Sequence, residues 1–406
     1  MLLEFLLTWA REYQAANGPT TRLEERLTQT GRAWGYATEV FATPTGVFLS
    51  LHRPDEEPHT ALTRVKGTRT DLSRLCLLER VMDSLLARKI TLRTALEALS
   101  SALSAVGHYR SWHGGLAALV AGFAVSYGYY QRTDVGLVAA AITLLTWSVT
   151  FAFTRKNIGN PVFSDFMAIF LALLAAAGAH WILPVSVEAY AVGALVLLVP
   201  GLLITSAVAE LADMNLVSGT AKLMQGFLSL LALALAWFLF TELSAALGMA
   251  HKMAPAVPRT PHLWVAALAM GVSATAFGVL YRVPPRSLLP AAACGFAGWA
   301  ILKAMAVTPV AGAGTYLASV TVGLMALTVS RLSGLPSQVY SVPGISALLP
   351  GMIALSSFRH FLSGDESQGM EFAAHMGITA ISIVFGLITA RIPFQIAAET
   401  RRRSVA

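Results

Sequence analysis

The chain has 406 residues, of which 55% are hydrophobic and only 13% charged, with a mean hydropathy of +0.62. That composition excludes an ordinary soluble globule and indicates a polytopic membrane protein. The net charge of +7 does not point to nucleic acid, because the bases are scattered among membrane-flanking loops and the tail Arg401-Arg402-Arg403, as a positive-inside bias would place them.

Residues 1 to about 112 carry roughly half of all the charges, so this stretch reads as a soluble domain. Met1-Leu2-Leu3-Glu4-Phe5-Leu6-Leu7 lacks a basic leader and is interrupted by Glu4, Arg11 and Glu12, which makes it a helix of the mature domain and not a signal peptide. That helix closes before the turn cluster Asn17-Gly18-Pro19. Thr21 and Glu24 fit a capping box at the head of a second helix carrying Leu23, Leu27, Gly31 and Trp34. The alternation of 37–41 and 47–51 around Thr43-Pro44-Thr45-Gly46 predicts a hairpin, and 60–66 a third strand. Asp71 then caps a helix through Leu72, Leu75, Leu78, Val81, Met82 and Leu85, and another helix follows Thr91. The result is a small α+β domain.

No nucleophile elbow, phosphate loop or zinc-protease motif appears in it. His52, Asp55, Glu56, Glu57 and His59 crowd one loop, but Pro54 and Pro58 punctuate a solvated turn and the spacing matches no firm ligand motif. Cys76 and Cys294 give neither a disulfide framework nor a metal spacing and read as packing residues. No metal and no cofactor is expected.

From about residue 113 the chain is a series of apolar runs near 113–130, 135–153, 162–182, 185–212, 221–247, 262–281, 286–305, 312–330, 337–361 and 370–392, which predicts about ten membrane spans. With both termini inside, Arg155, Lys156, Lys222, Arg282, Arg286, Arg331, Arg391 and Arg401 to Arg403 are cytoplasmic, against Arg132, Lys252, Arg259, Lys303 and Arg359 outside. The bias is about two to one. Ala117-Ala118-Leu119 with Gly122 matches Ala266-Ala267-Leu268 with Gly271 at an offset of about 150 residues. The expected fold is therefore mainly α, five spans plus five. An odd number of spans per repeat inverts the second copy, relating the halves by a pseudo-two-fold axis in the membrane plane. The expected domains are 1–112, 113–250 and 251–406.

Two helix breaks share the same offset. Pro200-Gly201 lies in one apolar run and Pro350-Gly351 in another. Proline removes a helix hydrogen bond and glycine loosens the turn, so each break leaves backbone groups in need of a partner. Thr205, Ser206, Glu210 and Asp213 follow the first break, and Ser356, Ser357 and His360 the second. Ser206 and Glu210 share a helix face; superposing the breaks pairs Ser206 with Ser356 and Glu210 with His360. A substrate site of Pro200, Gly201, Thr205, Ser206, Pro350, Gly351, Ser356 and Ser357 is expected, with Glu210, Asp213, Asp165 and His360 as proton-coupling groups. A plainer reading also fits: Glu210, Asp213 and Lys222 in a cytoplasmic loop, His360 at an interface, and Asp165 as an acid near a helix start. Glu188, Glu242 and Lys303 lie near span ends and read as interfacial.

Gly18-Pro19-Thr20-Thr21-Arg22-Leu23-Glu24-Glu25, then Thr43-Pro44-Thr45-Gly46, Arg64-Val65 with Asp71-Leu72 and Leu75, and the stretch from Pro200-Gly201 to Ser218-Gly219 follow one another in that order over nearly the whole chain. In these motifs and their order the chain resembles the threonine/serine exporter (ThrE) family. The resemblance implies a secondary exporter of the bacterial inner membrane, driven by the proton gradient, moving threonine, serine or similar small metabolites outward. Its partners would be that substrate, protons and the lipid bilayer, with association into a homo-oligomer left open. Split members of the family imply a small dicarboxylate as an alternative cargo. Two other readings compete: a membrane-anchored hydrolase-like enzyme using His52, His59 and the adjacent acids, and a channel or receptor gated by the soluble domain. The chain is expected not to be an enzyme.

Overall fold

The computed structural model describes residues 1–406 except 54–55, 105–107, 249–261, 308–309, 311, 350 and 404–406. Asp55 and Pro350 thus lie outside the described residues. The chain forms two compact units. The first comprises Met1–His108, Ser206–Leu223 and Tyr281–Pro284; the second comprises Tyr109–Thr205, Met224–Leu280 and Pro285–Ala406.

In the first unit, α1 (Leu2–Ala15) and α2 (Thr20–Ala33) precede three strands, β1 (Ala37–Thr43), β2 (Gly46–His52) and β3 (His59–Arg64), and then α3 (Leu72–Leu86) and α4 (Leu92–Ser104). The sheet is antiparallel in the order β1-β2-β3. Its alternation divides Val47, Leu49 and Leu51, which are buried, from Phe41, Phe48 and Leu62, which are exposed. Phe5, Leu6, Trp9, Leu23, Leu27, Leu78 and Met82 complete the core, each large side chain contributing roughly 1.5–3 kcal/mol of burial. The Trp9 indole N–H donates to the Leu78 carbonyl at 2.9 Å, and Tyr13 stacks on Trp9 with ring centroids 4.5 Å apart. Arg26 forks onto Glu79 Oε2 at 2.9 and 2.6 Å and reaches Asp83 at 2.6 Å. Arg22 and Tyr13 each donate to Glu79 Oε1 at 3.2 Å. The buried Glu79 carboxylate is thus saturated by donors, the condition under which a charge is tolerated inside.

Asp71 caps α3, its Oδ1 accepting from the Arg74 N–H at 3.0 Å. The expected capping box of α2 does not form. Pro19 occupies the N-cap and no side chain caps the helix, because the Thr20 and Thr21 hydroxyls are engaged elsewhere and Glu24 accepts from the β1 amide of Ala42 at 3.1 Å.

The second unit is helical: α5 (Ser111–Tyr130), α6 (Thr133–Lys156), α7 (Pro161–Ile182), α8 (Val187–Leu198), α9 (Gly201–Ala212), α10 (Leu216–Ala246), α11 (Leu263–Leu280), α12 (Leu288–Ala304), α13 (Ala313–Ser333), α14 (Gln338–Ile345), α15 (Gly351–Leu362) and α16 (Glu366–Arg403). The last part of α9 and the first part of α10 belong to the first unit. Among the described residues, seven helices are long and apolar enough to cross a membrane, or eight if α8 and α9, bent by 42°, form one broken span. The about ten spans expected from sequence exceed this because α5 is diluted by Ser, Gly, His and Tyr residues, and because 337–361 is divided into α14, a short 3-10 turn and α15.

The breaks have one physical cause. Val199 and Leu349, each preceding a proline, adopt extended backbone with ψ of 127° and 137°, since a following proline ring disfavours the α conformation. The helices beyond them match. α9 and α15 both have 12 residues. Each ends in a turn with positive φ, 63° at Met214 and 81° at Gly364. The Asn215 amide donates to the Glu210 carbonyl at 2.8 Å, as the Asp365 amide does to His360 at 2.9 Å.

Small residues bring the helices of this unit close. A Cβ on Gly193 would lie 2.5 Å from Thr143 Oγ1 and 2.7 Å from Gly122 Cα, and one on Gly344 would lie 2.8 Å from Cys294 Cβ. α5 and α11 run antiparallel: Ala117 and Ala121 pack on Ala276 with Val279 and Leu280 alongside, while Gly128 abuts Ala266, Ala269 and Met270.

Candidate functional site

A concentration of buried polar groups lies in the first unit, where α9 turns into α10. The left-handed Met214 reverses the chain, so Lys222, on the second turn of α10, comes back beside Glu210 on α9. Lys222 Nζ donates to Glu210 Oε1. The two residues are only 3% and 4% exposed. Thr20, at the start of α2, donates its hydroxyl to the same oxygen at 3.0 Å. With that proton committed, the Ser218 hydroxyl, 3.1 Å away, is the donor to Thr20. Glu210 Oε2 is buried with no hydrogen-bond partner.

A second contact lies beside this one. Thr21 donates to Asp213 Oδ2 at 3.2 Å and accepts from Asn215 Nδ2 at 2.8 Å. Glu24, one turn on, has its carboxyl pushed above the usual carboxylate range by burial, with the neighbouring Glu210 charge acting in the same direction and the Ala42 amide opposing it. The cluster thus holds one buried ion pair and leaves one buried carboxylate oxygen, Glu210 Oε2, without a partner.

The remaining predicted positions are distributed as follows. Gly201 opens α9 and is buried. Thr205, one turn on, is 4% exposed and its Oγ1 has no hydrogen-bond partner. Gly351 opens α15, Ser356 is half-buried, and Ser357 donates to the Gly369 carbonyl at 2.7 Å. His360 stands 4.0 Å from Asp365 and stacks on Phe372. Asp165 is half-buried near the start of α7, behind the Asn160 cap and Pro161. Within the second unit one apolar cluster holds Leu195 and Leu355, with Leu198, Val199 and Phe358 packed against it. The helix entering the first break and the helix leaving the second therefore share a core. Among the described residues no three His, Cys, Asp or Glu side chains are grouped to hold a metal ion.

Two groups escape a reading of the sequence alone. Lys222 reads as a cytoplasmic loop base, although its distance of 12 residues from Glu210, with a turn between, is a spacing at which a helical hairpin brings side chains together. Thr20 carries no sequence signal for contact with a residue 190 positions away.

The threonine/serine exporter model ThrE matches residues 5–244. A second model, described as Threonine/Serine exporter, ThrE, matches residues 266–392. No curated protein and no solved structure matches the chain.

Proposed function

Since the chain belongs to the threonine/serine exporter family and is a multi-pass membrane protein, we propose that it exports threonine, serine or a similar small polar metabolite in exchange for protons. It works in the bacterial inner membrane with both termini cytoplasmic. The observation that carries the coupling is Glu210: a buried carboxylate with one oxygen held by Lys222 and Thr20 and the other unpartnered. Protonation there weakens the pair with Lys222 and changes what holds α9 to α10. Asp213 and Asp165 are the next candidates, followed by His360.

The substrate is held at the breaks, by Pro200, Gly201, Thr205 and Ser206 from one helix and Pro350, Gly351, Ser356 and Ser357 from the other. Supporting this are the orphaned Thr205 hydroxyl, which lacks the partner a ligand would supply, and the apolar cluster shared by the flanking helices. The membrane domain is a five-plus-five inverted repeat, 113–250 and 251–406, following a soluble domain at 1–112. The antiparallel packing of α5 on α11 and the matched turns after α9 and α15 support that symmetry.

The test is transport in vesicles loaded with labelled threonine under an imposed proton gradient. Glu210→Gln keeps an acceptor for Lys222 and Thr20 but cannot cycle a proton. Exchange of threonine across the membrane should persist while its dependence on the gradient is lost. Gradient-driven flux equal to wild type would reject Glu210 as the proton carrier.

A further inference from the structure

The helix that follows the second break carries an arginine in an unusual setting. Arg359, on α15, donates from Nη2 to Glu188 on the first turn of α8. Its Cζ lies 3.9 Å over the Trp237 ring of α10. The surroundings are apolar: Val187, Tyr190, Trp237 and Leu355 belong to one buried cluster, and Phe358 packs against it. The guanidinium is therefore held over an aromatic face, and its charge is balanced by Glu188. The balance is incomplete, because Arg359 Nε is buried and has no acceptor.

A guanidinium presents its Nε and Nη2 hydrogens along one edge, spaced to meet the two oxygens of a carboxylate. Glu188 uses only the Nη2 end of that edge. A buried donor left unmade is costly, so a carboxylate that spans both hydrogens has an advantage over Glu188, which meets one. Glu188 is half-exposed and stands on the first turn of its helix, so its side chain can leave the arginine without disturbing the core.

We infer that Arg359 is the carboxylate-binding residue of the transport path, and that Glu188 is an internal stand-in which the substrate carboxylate displaces. The inference rests on the exporter reading and specifies it: the cargo carries a carboxylate, and Glu188 holds the arginine between transport events. Trp237 holds the guanidinium against its ring, and lysine, a point charge without a planar fork, is a poor replacement.

The test uses the full-length protein in lipid nanodiscs, with thermal stabilisation by L-threonine, threonine amide and succinate as the readout, and export of the same compounds from proteoliposomes alongside. Threonine should stabilise the wild type and its amide should not. Glu188→Gln removes the competitor and should lower the half-saturating threonine concentration about tenfold, whereas Arg359→Lys and Arg359→Gln should raise it by about tenfold or more. A gain in Glu188→Gln cannot arise from misfolding, so the inference is testable even if the arginine variants are unstable. Binding of succinate in place of threonine, with the same dependence on both residues, would retire the amino-acid cargo and keep Arg359. Export of threonine with half-saturation unchanged in Glu188→Gln and Arg359→Gln would overturn the role of Arg359 and leave the exporter reading intact. Equal stabilisation by threonine and its amide, or stabilisation by no carboxylate, would also overturn it.

Discussion

Glu24 shows how one carboxyl links the first unit to pH. Burial raises its folded-state pKa above the ordinary value, with Glu210 adding to the effect. A raised pKa means that the folded chain binds the proton more tightly than the unfolded chain. The contribution to stability is therefore complete below the unfolded pKa of roughly 4.3 and is lost as pH rises through the folded value. Glu24→Gln keeps an oxygen to accept from the Ala42 amide and carries no charge. It should unfold at a higher temperature than wild type at neutral pH, with the difference shrinking toward about pH 4; thermal melts across pH would check it, and a wild type at least as stable at neutral pH would contradict it. At this scale the sequence misleads through partners it cannot show. The Thr21/Glu24 spacing reads as a capping box, yet both side chains are drawn away, to Asp213 and Asn215 and to Ala42. Likewise Glu188 reads as an interfacial charge and Arg359 as an outer-loop base, with nothing to join them across 171 positions.

At the scale of elements, the hairpin and the Asp71 cap were legible because alternation and capping are local properties of a few residues. The breaks were legible too, since a proline restricts its own neighbour wherever it stands. Helix approach was not, because the glycine contacts depend on pairs far apart in sequence. Gly122 and Gly193 meet beside Thr143 in a space with no room for a side chain. Gly193→Val should destabilise the membrane unit by about 1–3 kcal/mol through overpacking. Gly178, whose Cβ would meet nothing within 4 Å, is the control: Gly178→Ala should be neutral or stabilising by up to about 1 kcal/mol, as glycine is in a helix. Melting temperatures of the two variants side by side would separate loss of close packing from a general intolerance of substitution.

At the scale of the whole molecule, the first unit is assembled from three separated stretches of chain. Residues 206–223 bring Glu210, Asp213, Asn215, Ser218 and Lys222 to Thr20 and Thr21. Residues 281–284 bring the Tyr281 and Arg282 carbonyls to the Leu72 and Ser73 amides at 2.9 and 3.0 Å, and the Arg282 guanidinium to Asp71 at 2.9 Å. Those amides are donors that a helix N-terminus cannot satisfy from within. A fragment of residues 1–108 should therefore melt at a lower temperature than the same region in the full chain, which hydrogen exchange at the α2 and α3 amides would report; equal protection in both would refute it. The composition shift near residue 112 could not reveal this arrangement, since a change in charge density marks where the polypeptide becomes apolar and not which segments pack together.

The Tyr281 and Arg282 carbonyls also set an order of events during synthesis. The residues that finish the amino-terminal unit leave the ribosome roughly 170 residues after the end of that region, which at about 5–20 residues per second is a delay of roughly ten seconds or more. During that interval α5 to α11 are made and the start of α3 waits without its acceptors. The part of the protein translated first is completed only after most of the membrane helices exist, so a failure of membrane insertion would surface as an unfinished amino-terminal unit.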